Sequence, residues 1–244
     1  MQSSITLSMA LVVGALATSA AQGQTTASFF PSLDNTLFQS TTGSRSAGAQ
    51  GSMYTGRIAS GGIRRALVQF DLSSIPAGSI VTSASFQLYL VQGNGGVIVN
   101  LHRTLASWGE GTSSGGMGQG SSSTPGDATW IHRFFNTSNW ATPGGDFVNA
   151  PSGNTTLTTE GQFHTWSGAG VTTDVQFWIA NQQQNFGWTL RGDESVNQTA
   201  ERWSSGEAGG GAEFWPRLSV TYVIPSPTTA ALMSLGVLCV GRRR

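Results

Sequence analysis

Residues 64–90 read RRALVQFDLSSIPAGSIVTSASFQLYL. In the first part Ala66, Val68, Phe70 and Leu72 alternate with Leu67, Gln69 and Asp71. In the second Ile80, Thr82, Ala84, Phe86, Leu88 and Leu90 alternate with Val81, Ser83, Ser85, Gln87 and Tyr89. Successive side chains of a strand point to opposite faces, so a period of two predicts two strands, each with one apolar face turned inward. The connector 73–79 carries Pro76 and Gly78, suits neither a helix nor a ladder, and is read as the link.

Outward from this pair the same pattern repeats. Phe29–Gln39 reads as a strand broken by Pro31, and 40–62 as a long Ser/Gly loop holding a short strand around Met53-Tyr54. Residues 97–105 alternate again, with Val97, Val99 and Leu101 on one face and Ile98, Asn100 and His102 on the other. The low-complexity run 109–126 reads as a surface loop. Further strands are predicted over 128–135, 163–166, 186–191, 201–205 and 217–223. One helix is predicted, about Thr173–Gln183. Thr173 and Gln176 fit a capping box, and Val175, Trp178 and Ile179 share a helical face. Many short strands, long loops and one helix predict an all-β fold, an antiparallel β-sandwich of jelly-roll type.

The surface chemistry is unusual. Of 244 residues, 10% are charged, against about 25% in average proteins, so Ser, Thr, Asn, Gln and Gly must supply the polar surface. All 12 basic residues are Arg, and three of them are the last three residues, which leaves nine Arg against twelve acids elsewhere. There is no basic stripe, so nucleic acid is not an expected partner. The one cysteine, Cys239, offers neither a disulfide framework nor a thiolate metal site.

Both ends read as addresses. Residues 5–17 form an apolar run followed by Thr18, Ser19, Ala20 and Ala21, the pattern of an export signal spanning 1–23. At the other end Pro225-Ser226-Pro227 precedes a short apolar run and then Arg242, Arg243 and Arg244. This 224–244 tail resembles the PEP-CTERM sorting signal of exopolysaccharide-producing Gram-negative bacteria, with Ser226 where that signal usually has Glu. The resemblance implies transient insertion in the inner membrane, processing by an exosortase, and a final place at the cell surface or in the extracellular matrix. A weak C-terminal anchor is the alternative. The folded part is then 25–223.

Within it FDLSSIPAGSIVTSASFQLYL, LHRTLASWGEG, DATWIHRFF, WATPGGDF, NFGWTLRGDES and FWPRLSVTY resemble the DNRLRE-type β-sandwich domains of exported bacterial proteins. The resemblance spans about 27–223. It rests most on Phe70-Asp71-Leu72 with Ile75-Pro76-Ala77-Gly78, on Trp108 and Trp130, and on Pro216-Arg217-Leu218. It implies a module similar to carbohydrate-binding modules, some of which take acidic polysaccharides, with no catalytic set of its own.

The residues themselves offer several candidate sites. Eight Trp are the most informative excess, because flat aromatic faces stack on sugar rings. Trp130, Trp178 and Trp188 fall on inward positions, whereas Trp108, Trp140 and Trp215 lie at loop or strand ends and are expected to be exposed. The expected site combines Trp108 or Trp140 with Arg133, Arg191 or Arg202. Glu110, Asp127 and Asp146 sit on loops near Trp108, Trp130 and Trp140, and are candidates for a cleft rim or for a structural Ca²⁺, which wants several hard oxygens. No other cofactor is implied. His102 and His132 could converge on one sheet face. Gly111–Gly115 matches the G-x-S-x-G pattern but lies in a Gly/Ser loop without the strand and helix a nucleophile elbow needs.

The sequence therefore predicts an exported, non-catalytic protein that binds polysaccharide. A structural matrix protein with protein partners is the second reading, and a polysaccharide lyase or hydrolase with paired acids in a cleft is the third.

Overall fold

The computed structural model describes residues 23–225. The predicted export signal, apart from Gly23, and the tail beyond Pro225 lie outside the described residues, and with them Pro227, Arg242, Arg243 and Arg244. The strands are β1 (Gln24–Phe29), β2 (Pro31–Phe38), β3 (Arg45–Ser46), β4 (Ser52–Arg57), β5 (Ile63–Phe70), β6 (Ile80–Gln92), β7 (Ile98–Arg103), β8 (Ser121–Ser122), β9 (His132–Phe134), β10 (Ser138–Asn139), β11 (Gly153–Thr156), β12 (Gln162–Ser167), β13 (Trp188–Arg191), β14 (Glu201–Ser204) and β15 (Arg217–Val223), with helix α1 (Ala169–Ala180) between β12 and β13.

Every ladder is antiparallel. One layer runs β1-β15-β6, with β12 on the other edge of β6 and β14 beside its far end. The second layer runs β2-β5-β13-β7-β11. Strand β4 joins the two: residues 52–55 pair with β14, and Gly56 and Arg57 pair with β5. Gly56 makes this crossing possible, because its φ is +85° and a Cβ would run into the Thr199 carbonyl. The molecule is thus a curled antiparallel sheet closed over itself as a sandwich, the all-β fold the sequence predicts.

The opening pair of strands is where the sequence places it, with one change of phase. Ala66, Val68, Phe70, Leu72, Ala84, Phe86, Leu88 and Leu90 are buried in the main core. At the start of β6, however, Thr221 faces Ser83 while Tyr222 faces Val81, so Thr82 is an extra residue. This bulge turns Val81 inward and leaves Ile80 45% exposed, the reverse of a regular alternation.

The core between the layers is aromatic. Trp166 and Trp188 pack on Phe86 with ring centroids 5.3 and 5.7 Å away, and Trp178 packs on Trp188 at 4.5 Å. Most of these indoles also have a hydrogen-bond acceptor: Val99 O for Trp166 (2.8 Å), Asp174 for Trp188 (2.8 Å) and Thr55 Oγ1 for Trp203 (2.9 Å). Burial favours such a partner for the indole N–H, and Trp178 Nε1 lacks one.

Helix α1 closes one end with Val171, Val175, Trp178 and Ile179 buried, as the predicted helical face requires. Its start differs from the expectation. The helix begins at Ala169 after Gly168, so Thr173 is an exposed interior residue and caps nothing. Gln176 works elsewhere: its Oε1 accepts the N–H of Val81 (2.8 Å) and its Nε2 donates to Ser79 O (3.2 Å), which supplies partners to the backbone at the head of β6.

The segment between β7 and β11 builds a second, smaller core on the outer face of the β2-β5 layer. There Trp108, Ala128, Trp130 and Trp140 cover Leu37 and Leu67. The strand predicted over 128–135 shrinks to β9, because the Thr129 hydroxyl accepts the N–H groups of Ile131 and His132 and turns the chain. Among the described residues no helix is long and apolar enough to cross a membrane.

Candidate functional site

The registers of the second layer set one polar row across four strands. Arg65 of β5 faces Arg191 of β13, Arg191 faces Asn100 of β7, and Asn100 faces Asn154 of β11. Cross-strand partners share a sheet face, and their neighbours along each strand, Ala66, Leu190, Val99 and Leu101, point into the core. The row is therefore on the outside. Three strand spacings make it about 14 Å long. His102, two residues along β7 from Asn100, flanks it.

The outer part of this row floors an open groove of about 1020 Å³. Its walls are Gly95–Ile98 before and at the start of β7, Asn149 and Pro151 before β11, and Gly192–Ser195 after β13. Asn100, His102, Asn154 and Arg191 therefore present donors and acceptors along one open groove.

The charged end is rigid. Both oxygens of Glu194 are held: Arg65 Nε and Nη2 donate at 2.8 and 2.9 Å, and Arg191 Nε and Nη2 donate at 3.2 and 2.9 Å. Burial works against ionisation of Glu194, but the hydrogen bonds and charges of the two guanidinium groups win and hold its carboxyl down at about 2. Phe147 packs beneath, with Arg191 5.2 Å, Arg65 5.4 Å and His102 5.1 Å from its ring centre. His102 Nδ1 lies 3.0 Å from Val148 O, and burial lowers its pKa, so the ring is neutral near pH 7. Arg191, Asp193 and Glu194 line the groove, and the Arg65 paired with Glu194 brings the charge of this cluster to zero.

Of the residues expected to form the sugar site, Arg191 alone lines this groove, and His102, the other candidate here, lines it without His132. Trp108 and Trp140 are 3% and 4% exposed, contrary to expectation. They belong to the small second core, and their indole N–H groups donate to Phe186 O and Thr129 O, both at 2.9 Å. Neither offers a face for stacking. Arg133 does lie beside Trp140, at a shallow depression shared with Asp146 and Phe186, but its guanidinium donates to Ser107 and Asn139. Arg202 lines a separate hollow with Tyr54 and Gln92. Trp215 is half-buried against Phe30, with ring centres 5.6 Å apart. The Trp excess is core packing, as the large apolar surface of the ring favours.

Asp127 and Asp146 organise loops. Asp127 accepts from the N–H of Thr112 and Thr124 and from the hydroxyl of Ser113, while Asp146 accepts from the N–H of Ala141 and Thr142. Ser113, the middle of the G-x-S-x-G pattern, is buried in that arrangement. Glu110 parts company with both and lies with Asp34 and Glu207, two acids the sequence reading did not connect with it. His132 packs with Thr129 and Phe135, away from the β7 face that carries His102.

Half-exposed aromatic rings do occur, on the outside of the other layer. Tyr89 lies 5.3 Å from Phe163 and 4.9 Å from Phe214, with the Arg217 guanidinium 4.3 Å above Phe163.

Compared with protein-family models and with curated proteins, the chain matches none.

Proposed function

We propose that this chain is an exported, non-catalytic β-sandwich protein of the cell surface or extracellular matrix, and that it binds a polysaccharide along the groove over β13, β7 and β11. In this reading the 224–244 tail is a sorting signal processed by an exosortase. The observation that carries the binding proposal is the Arg191–Asn100–Asn154 row, a line of polar side chains at strand spacing on the outer face of the sheet. Recognition is by hydrogen bonds to hydroxyl groups, with the stacking contribution of Trp removed. The charged cluster sums to zero, which favours a neutral, hydroxyl-rich chain over a polyanion.

The test is retention of the purified protein on immobilised neutral and acidic polysaccharides. One class should retain it without being degraded. Asn100→Ala with Asn154→Ala should weaken binding about tenfold or more, since each lost hydrogen bond to ligand contributes about 1 kcal/mol, while Tm changes little. Retention should hold from about 50 to about 500 mM salt, because no charge pair is screened. Retention that survives the double variant but is lost on Tyr89→Ala or Phe163→Ala would move the site to the other layer. That is the second reading, supported by the exposed aromatic group there. No retention on any polymer would favour a matrix protein with protein partners.

A further inference from the structure

Three carboxylates from distant parts of the chain meet where β2 passes the Glu110 loop and the turn after β14. One oxygen each of Asp34, Glu110 and Glu207 lies within 4.8 Å of the others. This is the only such trio of acids or histidines among the described residues.

The decisive feature is Asp34, which is 1% exposed. Its Oδ2 accepts the N–H of Gly206 at 2.7 Å, but its Oδ1 is buried with no hydrogen-bond donor. Glu110 Oε1 accepts the N–H of Asp34 itself at 2.7 Å. The ion pairs among the described residues are Arg65 and Arg191 with Glu194, and Arg103 with Asp174, so no cationic side chain reaches this trio. A buried carboxylate without a compensating cation is costly, and a second and third carboxylate beside it make it more so. Burial and the neighbouring charges accordingly push Asp34 well above the usual range, Glu110 up to about 7, and burial raises Glu207.

Gln50 Oε1 is buried without a partner. The Gln50 carbonyl accepts the Ser205 hydroxyl at 2.7 Å, and that hydroxyl accepts the N–H of Glu207 at 3.2 Å. The loop bearing Gln50 is therefore tied directly to the turn bearing Glu207. The approach is close: a Cβ on Gly206 would lie 3.2 Å from Asp34 Oδ2, and one on Gly51 would lie 3.2 Å from Glu207 O.

We propose that Asp34, Glu110 and Glu207 form a binding site for one hard divalent cation, Ca²⁺ by its donor chemistry, which clamps β2 to the two loops beside it. All candidate donors are oxygens, which disfavours Zn²⁺ and softer metals. Two oxygens bound to one Ca²⁺ at about 2.4 Å each can be no more than about 4.8 Å apart, and the trio meets that limit. Ligands from three separate segments suit the flexible coordination of Ca²⁺ better than the strict octahedron of Mg²⁺. The exposed Glu207 gives the ion its way in.

The experiment is calorimetric titration of CaCl₂, and separately MgCl₂, into chelator-treated protein, with thermal unfolding in each condition. Expected are one Ca²⁺ per chain and a Tm that rises with Ca²⁺ and returns with EDTA. Glu207→Gln, on an exposed turn, should weaken binding at least tenfold. Asp34→Asn, which keeps an oxygen for Gly206, should abolish it. No heat and no Tm rise at millimolar cation would overturn the proposal, and so would a rise that both variants retain. A Tm that ignores Ca²⁺ but climbs as pH falls through about 7 would assign the trio to shared protons instead, and would also overturn it. These readouts need no polysaccharide, so they stand or fall separately from the groove.

Discussion

Glu194 and Glu201 show how two acids seven residues apart can oppose each other in stability. Glu194 is depressed to about 2 by Arg65 and Arg191. Its contribution is complete above the ordinary value of 4.5 and is lost as pH falls from there to about 2. Glu201 is fully buried and is raised to about 8 by desolvation, although the Thr55 hydroxyl donates to it at 3.1 Å. The folded state then holds a proton the unfolded state has released, so stability falls as pH rises from 4.5 to about 8. Glu194→Gln should therefore remove the acid limb, and Glu201→Gln should flatten the alkaline one. The acid limb is on the order of 3 kcal/mol and the alkaline one on the order of 5 kcal/mol, and Tm measured against pH for the two variants separates them. Neither role is visible in sequence: RGDES contains Arg191 but not Arg65, and AERWS does not show Thr55, both more than a hundred residues upstream. By contrast, the outward face of Asn100 and His102 is legible directly from the alternation of VIVNLH. The burial of Trp108 and Trp140 is not, because loop residues carry no periodicity to show that they cover Leu67.

At the scale of elements, strands that pair on both edges follow their pattern closely, and β15 spans the 217–223 the alternation predicts. What escapes is whatever a single tertiary contact decides. The Thr82 bulge reverses Ile80 and Val81. The start of α1 is set by Gly168, whose φ of +107° suits a residue without Cβ, and a good capping box five residues on, at Thr173, is overridden. Inside α1, Asp174 fixes the helix to the sheet: Oδ2 accepts Trp188 Nε1 at 2.8 Å and the Ser152 hydroxyl, and Oδ1 meets Arg103 Nε at 3.1 Å. Asp174→Ala strands a buried indole N–H and a guanidinium. It should destabilise by about 3 kcal/mol in denaturant titration. Asp174→Asn keeps an acceptor for Trp188 and should do less harm.

In the whole molecule, two features come from opposite halves of the fold's logic. The groove's floor rests on β13 and β7, which are paired on both sides, and on β11 at the sheet edge. The carboxylate trio joins strand β2 to two loops, whose placement on it depends on what holds them there. Alternation reaches Asn100 and His102 on the groove's floor but not Asn154, and it misses the trio, because Asp34, Glu110 and Glu207 are joined only by the path of the folded chain.

One pairing governs how the molecule bears load. Strands β1 and β15 lie side by side at the sheet edge, with Gln24 opposite Val223. The chain therefore enters and leaves the fold at one corner. Ladder hydrogen bonds run perpendicular to the strands, so force pulling these two ends apart loads the bonds one pair at a time, as a zipper opens. Single-molecule stretching through the ends should peel β1 off at low force before the sandwich breaks. A tether at one end alone leaves that seam unstressed, and such a protein would resist tension only while its other attachment lies elsewhere on its surface.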